Sequence, residues 1–98
     1  MTMGAPAARV SDMHTCPLAD PTPHVGGPIL PPGEASVLIA GFPAARIGDL
    51  SICVGPPDPI VIGSGSVLIG QMGAARMGDP TAHGGAVVAG EPSVLIGG

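Results

Sequence analysis

The chain repeats itself three times. Gly33-Glu34-Ala35-Ser36-Val37-Leu38-Ile39 returns as Gly63-Ser64-Gly65-Ser66-Val67-Leu68-Ile69 and as Gly90-Glu91-Pro92-Ser93-Val94-Leu95-Ile96. A second unit, Pro6-Ala7-Ala8-Arg9-Val10-Ser11-Asp12, returns as Pro43-Ala44-Ala45-Arg46-Ile47-Gly48-Asp49 and as Gly73-Ala74-Ala75-Arg76-Met77-Gly78-Asp79. Such self-similarity marks a fold assembled from like units, none of which buries its apolar face alone. Each first unit reads as a turn feeding a short strand, with Val and Ile on one face and Ser and Leu on the other. Three strand-and-turn units predict an all-β, pseudo-threefold cone or prism. A linear β-solenoid is the alternative. The arginines fall 37 and then 30 residues apart, a variation that loop insertions permit in either case.

All three basic residues occupy one slot of the second unit, and an Asp follows each three residues later: Asp12, Asp49 and Asp79. Arginine donates in a fixed planar fork to carboxylates and carbonyls. The expected role is structural, each Arg-Asp pair pinning a turn while Ala-Ala permits close packing. Repetition argues against these arginines being catalytic.

Composition narrows the rest. Of 98 residues, 17 are Gly and 13 are Pro, which excludes a helical bundle. Glycine lacks the every-third-residue period of collagen. Three Arg, no Lys, a net charge of -4 and a single aromatic, Phe42, exclude a nucleic-acid binder and an aromatic-lined ligand pocket. Disordered chains pair low hydrophobicity with high charge; here 45% of residues are hydrophobic and 10% charged. One small domain spanning residues 1–98 is expected, with a core too thin to stand without a disulfide, a metal or oligomerisation. The first residues lack the basic start and apolar run of a secretory signal, and no apolar stretch is long enough to span a bilayer. The expectations are a cytoplasmic origin, no stable membrane insertion, and Cys16 and Cys53 without a disulfide.

Every His and Cys lies after a repeat or in the first long loop. Cys16, Cys53 and His83 each stand seven residues after an Arg, and His14 and His24 complete the set. Pseudo-threefold symmetry brings equivalent turns together near the axis, where five such donors suit tetrahedral zinc. The opposing reading is scattered surface histidines and inert buried cysteines. Enough donors exist to close a four-ligand shell, and no carboxylate is obviously poised as a base. The reading is therefore one structural zinc near the apex rather than an open catalytic site.

The Pro-Ala-Ala-Arg units and the turns after them resemble the PAAR-repeat family. The most family-like blocks are Asp12-Met13-His14-Thr15-Cys16-Pro17, Pro23-His24-Val25-Gly26-Gly27-Pro28, Cys53-Val54-Gly55-Pro56-Pro57-Asp58 and His83-Gly84-Gly85, and the likeness runs from Pro6 to Gly97. The third copy departs from the name motif, with Gly73 in place of Pro. The resemblance implies a non-enzymatic, cone-shaped tip of a type VI secretion system. It would sit one per trimer on a VgrG-type spike, sharpen it for envelope puncture, and be delivered outward by the apparatus. Effectors or adaptors are further implied partners. The chain leaves no room for a fused toxin, so cargo would bind non-covalently. The family's one zinc is held by three His and one Cys, which on this chain are His14, His24, Cys53 and His83. Repeat symmetry instead makes Cys16 the counterpart of Cys53 and His83, and the family pattern is preferred. Alternatives are the tip of a phage-like contractile tail, a free-standing zinc adaptor, and a small zinc hydrolase using three His.

Overall fold

Six alanines form the axis of the molecule. In the computed structural model, which describes residues 4–17, 26–53 and 56–97, Ala8 N–H donates to Ala75 O, Ala75 N–H to Ala45 O, and Ala45 N–H to Ala8 O, each at 3.0 Å. The three bonds close a ring, which a linear solenoid cannot do. A second ring surrounds it: Val10 donates to Pro43, Ile47 to Gly73 and Met77 to Pro6, at 2.8–2.9 Å. Only a methyl-sized side chain lets three backbones meet this closely.

The described elements are β1 (Ala5–Ala7), β2 (Gly26–Ile29), β3 (Glu34–Ile39), β4 (Phe42–Ala44), β5 (Leu50–Cys53), β6 (Asp58–Pro59), β7 (Leu68–Ile69), β8 (Met72–Gly73) and β9 (Glu91–Ile96). Among the described residues no helix is long and apolar enough to cross a membrane. The fold is all-β and pseudo-threefold. Antiparallel pairs β3-β4, β7-β8 and β9-β1 make its three sectors. The first two are hairpins with two-residue turns, Ala40-Gly41 and Gly70-Gln71, whose positive φ angles fit the type I′ geometry that matches strand twist. The third sector is closed by opposite regions of the chain, with Ala5 opposite Ile96 where the hairpins place Phe42 opposite Ile39 and Met72 opposite Ile69. A further sheet, ordered β2-β5-β6, flanks the axis.

The core is two stacked threefold layers. Ala7, Ala44 and Ala74 pack with Ile39, Ile69 and Ile96. Ala8, Ala45 and Ala75 pack with Ile29, Ile60 and Val87. The Val and Ile of the Ser-Val-Leu-Ile strands do not share a buried face. Val37, Val67 and Val94 are 37, 38 and 37% exposed, and Leu38, Leu68 and Leu95 are 61, 62 and 58% exposed; only the Ile turns inward. In the first sector the register of β3 against β4 shifts between Glu34 and Leu38, which breaks strict alternation there. The near-equal exposures show how closely the sectors match.

Each Arg-x-x-Asp unit is the tight turn expected. The Asp N–H donates to the Arg carbonyl at 3.0–3.1 Å, and the Asp carboxylate accepts the Arg N–H at 2.7–2.8 Å. The third residue has φ of 85° at Ser11, 92° at Gly48 and 96° at Gly78, as a type II turn requires. Arg9 and Arg76 also grip Asp12 and Asp79 through two side-chain nitrogens each, at 2.9–3.2 Å. That bond to Asp12 holds Arg9 above its ordinary pKa. Arg46 is looser on Asp49, at 3.5 Å, and leans to Glu34 at 3.1 Å. Arg9 reaches Glu91 in the same way and lies over the Phe42 ring, 5.1 Å from its centroid, tying one sector to the next. Ser64 stands where the other sectors have Glu34 and Glu91, and there the Gly97 carbonyl accepts both Arg76 Nη1 and Ser64 Oγ.

Candidate metal centre

Past each Asp the chain continues inward at alternate residues. Five residues after the Arg stand His14, Ser51 and Thr81, all buried; seven after it stand Cys16, Cys53 and His83. Period-two alternation thus carries the threefold register of the alanine layers up to a polar layer and then to a donor layer. Cys53 closes a strand, β5, rather than lying in a turn. Two glycines let the segments converge: a Cβ on Gly26 would strike the His14 carbonyl, and one on Gly85 the Thr15 carbonyl. Gly84 beside it takes φ +89°, turning the chain back directly after His83.

Cys16 Sγ, Cys53 Sγ and a ring nitrogen of His83 lie within 4.8 Å of one another. Cys16 Sγ is 2.8 Å from Cys53 Sγ and 3.5 Å from His83 Nδ1. The cysteines are buried and His83 is partly exposed. Burial, then the hydrogen bond to Cys16, pushes the Cys53 thiol up to about 11. A divalent cation would reverse this, because thiolate is the ligating form. Two thiols and an imidazole are a donor set suited to zinc, which takes sulfur at about 2.3 Å and nitrogen at about 2.0–2.1 Å.

Of the four donors implied by the resemblance, the structure brings Cys53 and His83 together and adds Cys16, the residue that repeat symmetry pairs with them. His14 is fully buried beneath the trio. Its Nδ1 lies 2.8 Å from the Gly27 carbonyl and its Nε2 3.1 Å from Asp58 Oδ2. His24 lies outside the described residues.

Asp58 was not apparent as a site residue from sequence. Fully buried, it accepts Thr81 Oγ1 at 2.6 Å and the His83 backbone N–H at 2.9 Å as well as facing His14. It therefore ties the first sector's segment to the third's and fixes where His83 sits. One signal could have singled it out: with Asp20, it is one of two carboxylates outside the repeated units. By contrast Asp12 and Asp79, close to the donors in sequence, are taken up by their arginines as the repeat predicts.

A search of curated proteins finds no match to the chain. The family model for the PAAR motif matches residues 19–89, which include two of the three arginine repeats, Cys53 and His83. With that match covering most of its length, the chain belongs to the PAAR-motif family.

Proposed function

We propose that this single domain is the metal-stabilised, non-enzymatic tip of a type VI secretion spike, seated one per trimer on a VgrG-type protein. The observation that carries the reading is the ring of apolar side chains on the three sectors. Val37 and Leu38, Val67 and Leu68, and Val94 and Leu95 are exposed to nearly the same degree in each. Exposed apolar groups repeated about an axis suit a partner with its own threefold axis. Membership of the family supports the choice of partner. Cys16, Cys53 and His83 would hold one zinc, with His24 a candidate fourth ligand. The metal would fasten the converging segments, where the apolar core is two thin layers. In this reading the protein is made in the bacterial cytoplasm and carried outward, with effectors or adaptors as further partners.

The test is native mass spectrometry of the chain mixed with its spike, together with metal analysis. One chain per spike trimer and one zinc per chain are expected. The combined change Leu38→Asp, Leu68→Asp and Leu95→Asp should abolish the complex while leaving the melting temperature within a few degrees. A stoichiometry of one tip per spike protomer, or undiminished binding by the triple variant, would refute the proposal.

A further inference from the structure

Two of the three apex donors are thiols, and they face each other from different sectors. Cys53 Sγ and Cys16 Sγ are 2.8 Å apart and are not joined as a disulfide. A covalent S–S bond is about 2.05 Å, so less than about 1 Å of approach separates the pair from bonding. The third position of the register, His83, carries no sulfur, so the chain holds one such pair. Both cysteines are only 7% exposed. So little exposure disfavours bulky disulfides as oxidants and favours a small one such as hydrogen peroxide.

We propose that Cys16 and Cys53 are an oxidative modification site, closed to an intramolecular disulfide by hydrogen peroxide with release of the metal. The inference rests on the metal-holding role proposed above. In the first step one thiolate sulfur attacks a peroxide oxygen. The O–O bond breaks, a sulfenic acid forms, and the departing hydroxide takes a proton to become water. In the second, the other thiolate attacks the sulfenic sulfur; the S–S bond forms, the S–O bond breaks, and a second water leaves. Two electrons pass from the sulfurs to the two peroxide oxygens. Starting from metal-bound thiolates, the two protons come from solvent and the divalent ion departs. The proximity of the second sulfur favours its attack over further oxidation of the sulfenic acid. The disulfide removes both anionic donors, leaving His83 and at most the candidate His24, two neutral imidazoles that hold the metal far more weakly than the thiolate-bearing set.

The sequence makes the test unambiguous. Trypsin cuts after Arg9, Arg46 and Arg76, placing Cys16 in residues 10–46 and Cys53 in residues 47–76. Zinc-loaded protein is treated with a small excess of hydrogen peroxide. Thiols, released zinc and an unreduced digest are then measured. Both thiols should be lost, one zinc released per chain, and the two peptides joined in a species two hydrogen masses lighter than their sum. Dithiothreitol followed by zinc should restore the starting state. Zinc-loaded protein that yields mainly sulfinic acids or chain-to-chain disulfides overturns the inference and leaves the metal reading intact. Protein that takes up no zinc overturns the metal reading and the release step, while the cross-link in the same digest still decides the pairing.

Discussion

Asp58→Ala is the sharpest probe of how the polar layer supports the donors above it. The carboxylate faces three buried or part-buried donors: Thr81 Oγ1 at 2.6 Å, the His83 N–H at 2.9 Å and His14 Nε2 at 3.1 Å. A buried donor left without an acceptor costs about 1–3 kcal/mol. Taking the low end for each, because a water can enter the vacated space, the loss is about 3 kcal/mol. For a domain of this size that is a fall in melting temperature of about 12–24 °C. Asp58→Asn should cost much less. Its carbonyl still accepts the His83 N–H, and its amide can donate to the Thr81 hydroxyl and to a His14 Nε2 that acts as acceptor. The assay is thermal unfolding of parent and both variants, each with zinc and with excess chelator. Chelated protein isolates the hydrogen bonds; the zinc-loaded samples add any loss of metal binding from a displaced His83. An Asp58→Ala melting temperature within about 3 °C of the parent under chelation would mean that the network contributes little.

Three further outcomes are expected. Ser11 adopts the left-handed φ that Gly48 and Gly78 take in the other two turns, so Ser11→Gly should stabilise by about 1 kcal/mol, raising the melting temperature. Glu34 and Glu91 are held below their ordinary pKa of 4.5, first by the Ser36 and Ser93 hydroxyls and next by the backbone N–H groups of the same serines. A lowered folded-state pKa gives stability present above the ordinary value and lost as pH falls through the lowered one. Ser36→Ala with Ser93→Ala should therefore move the acid-unfolding midpoint to higher pH; no movement would discount the hydroxyls. Chelation of metal-loaded protein should lower the melting temperature markedly, and readdition of zinc should restore it.

The sequence was most readable where the three copies agree. Ala-Ala, Arg-x-x-Asp and the strand-ending Ile recur in step, and the structure turns each into a threefold ring or layer. It was least readable where one copy must differ from the others. Asp58 serves all three sectors from a single position, so no repeat announces it. The Ser-Val-Leu-Ile strands look like simple alternation, yet in all three the Val is exposed and only the Ile turns inward. The donor register seven residues after each Arg follows from symmetry alone, because equivalent positions on a threefold fold lie at one height. His14, two residues earlier, belongs by the same logic to the layer below, where it faces Asp58.

The pairing of β9 with β1 has a consequence for how the molecule comes into being. Every alanine bond around the axis needs all three sectors, and one sector needs Glu91–Ile96 laid against Ala5–Ala7. Closing so long a loop costs little more than closing one of half the length, since the entropy grows only logarithmically. The delay lies in waiting for the strand to exist. A growing chain on the ribosome holds two hairpins and an open side, with Leu, Val and Ile uncovered, until its last strand emerges. The three sectors can therefore close only once β9 is free to pair, and truncation within β9 should yield an aggregating chain rather than a smaller, partly folded unit.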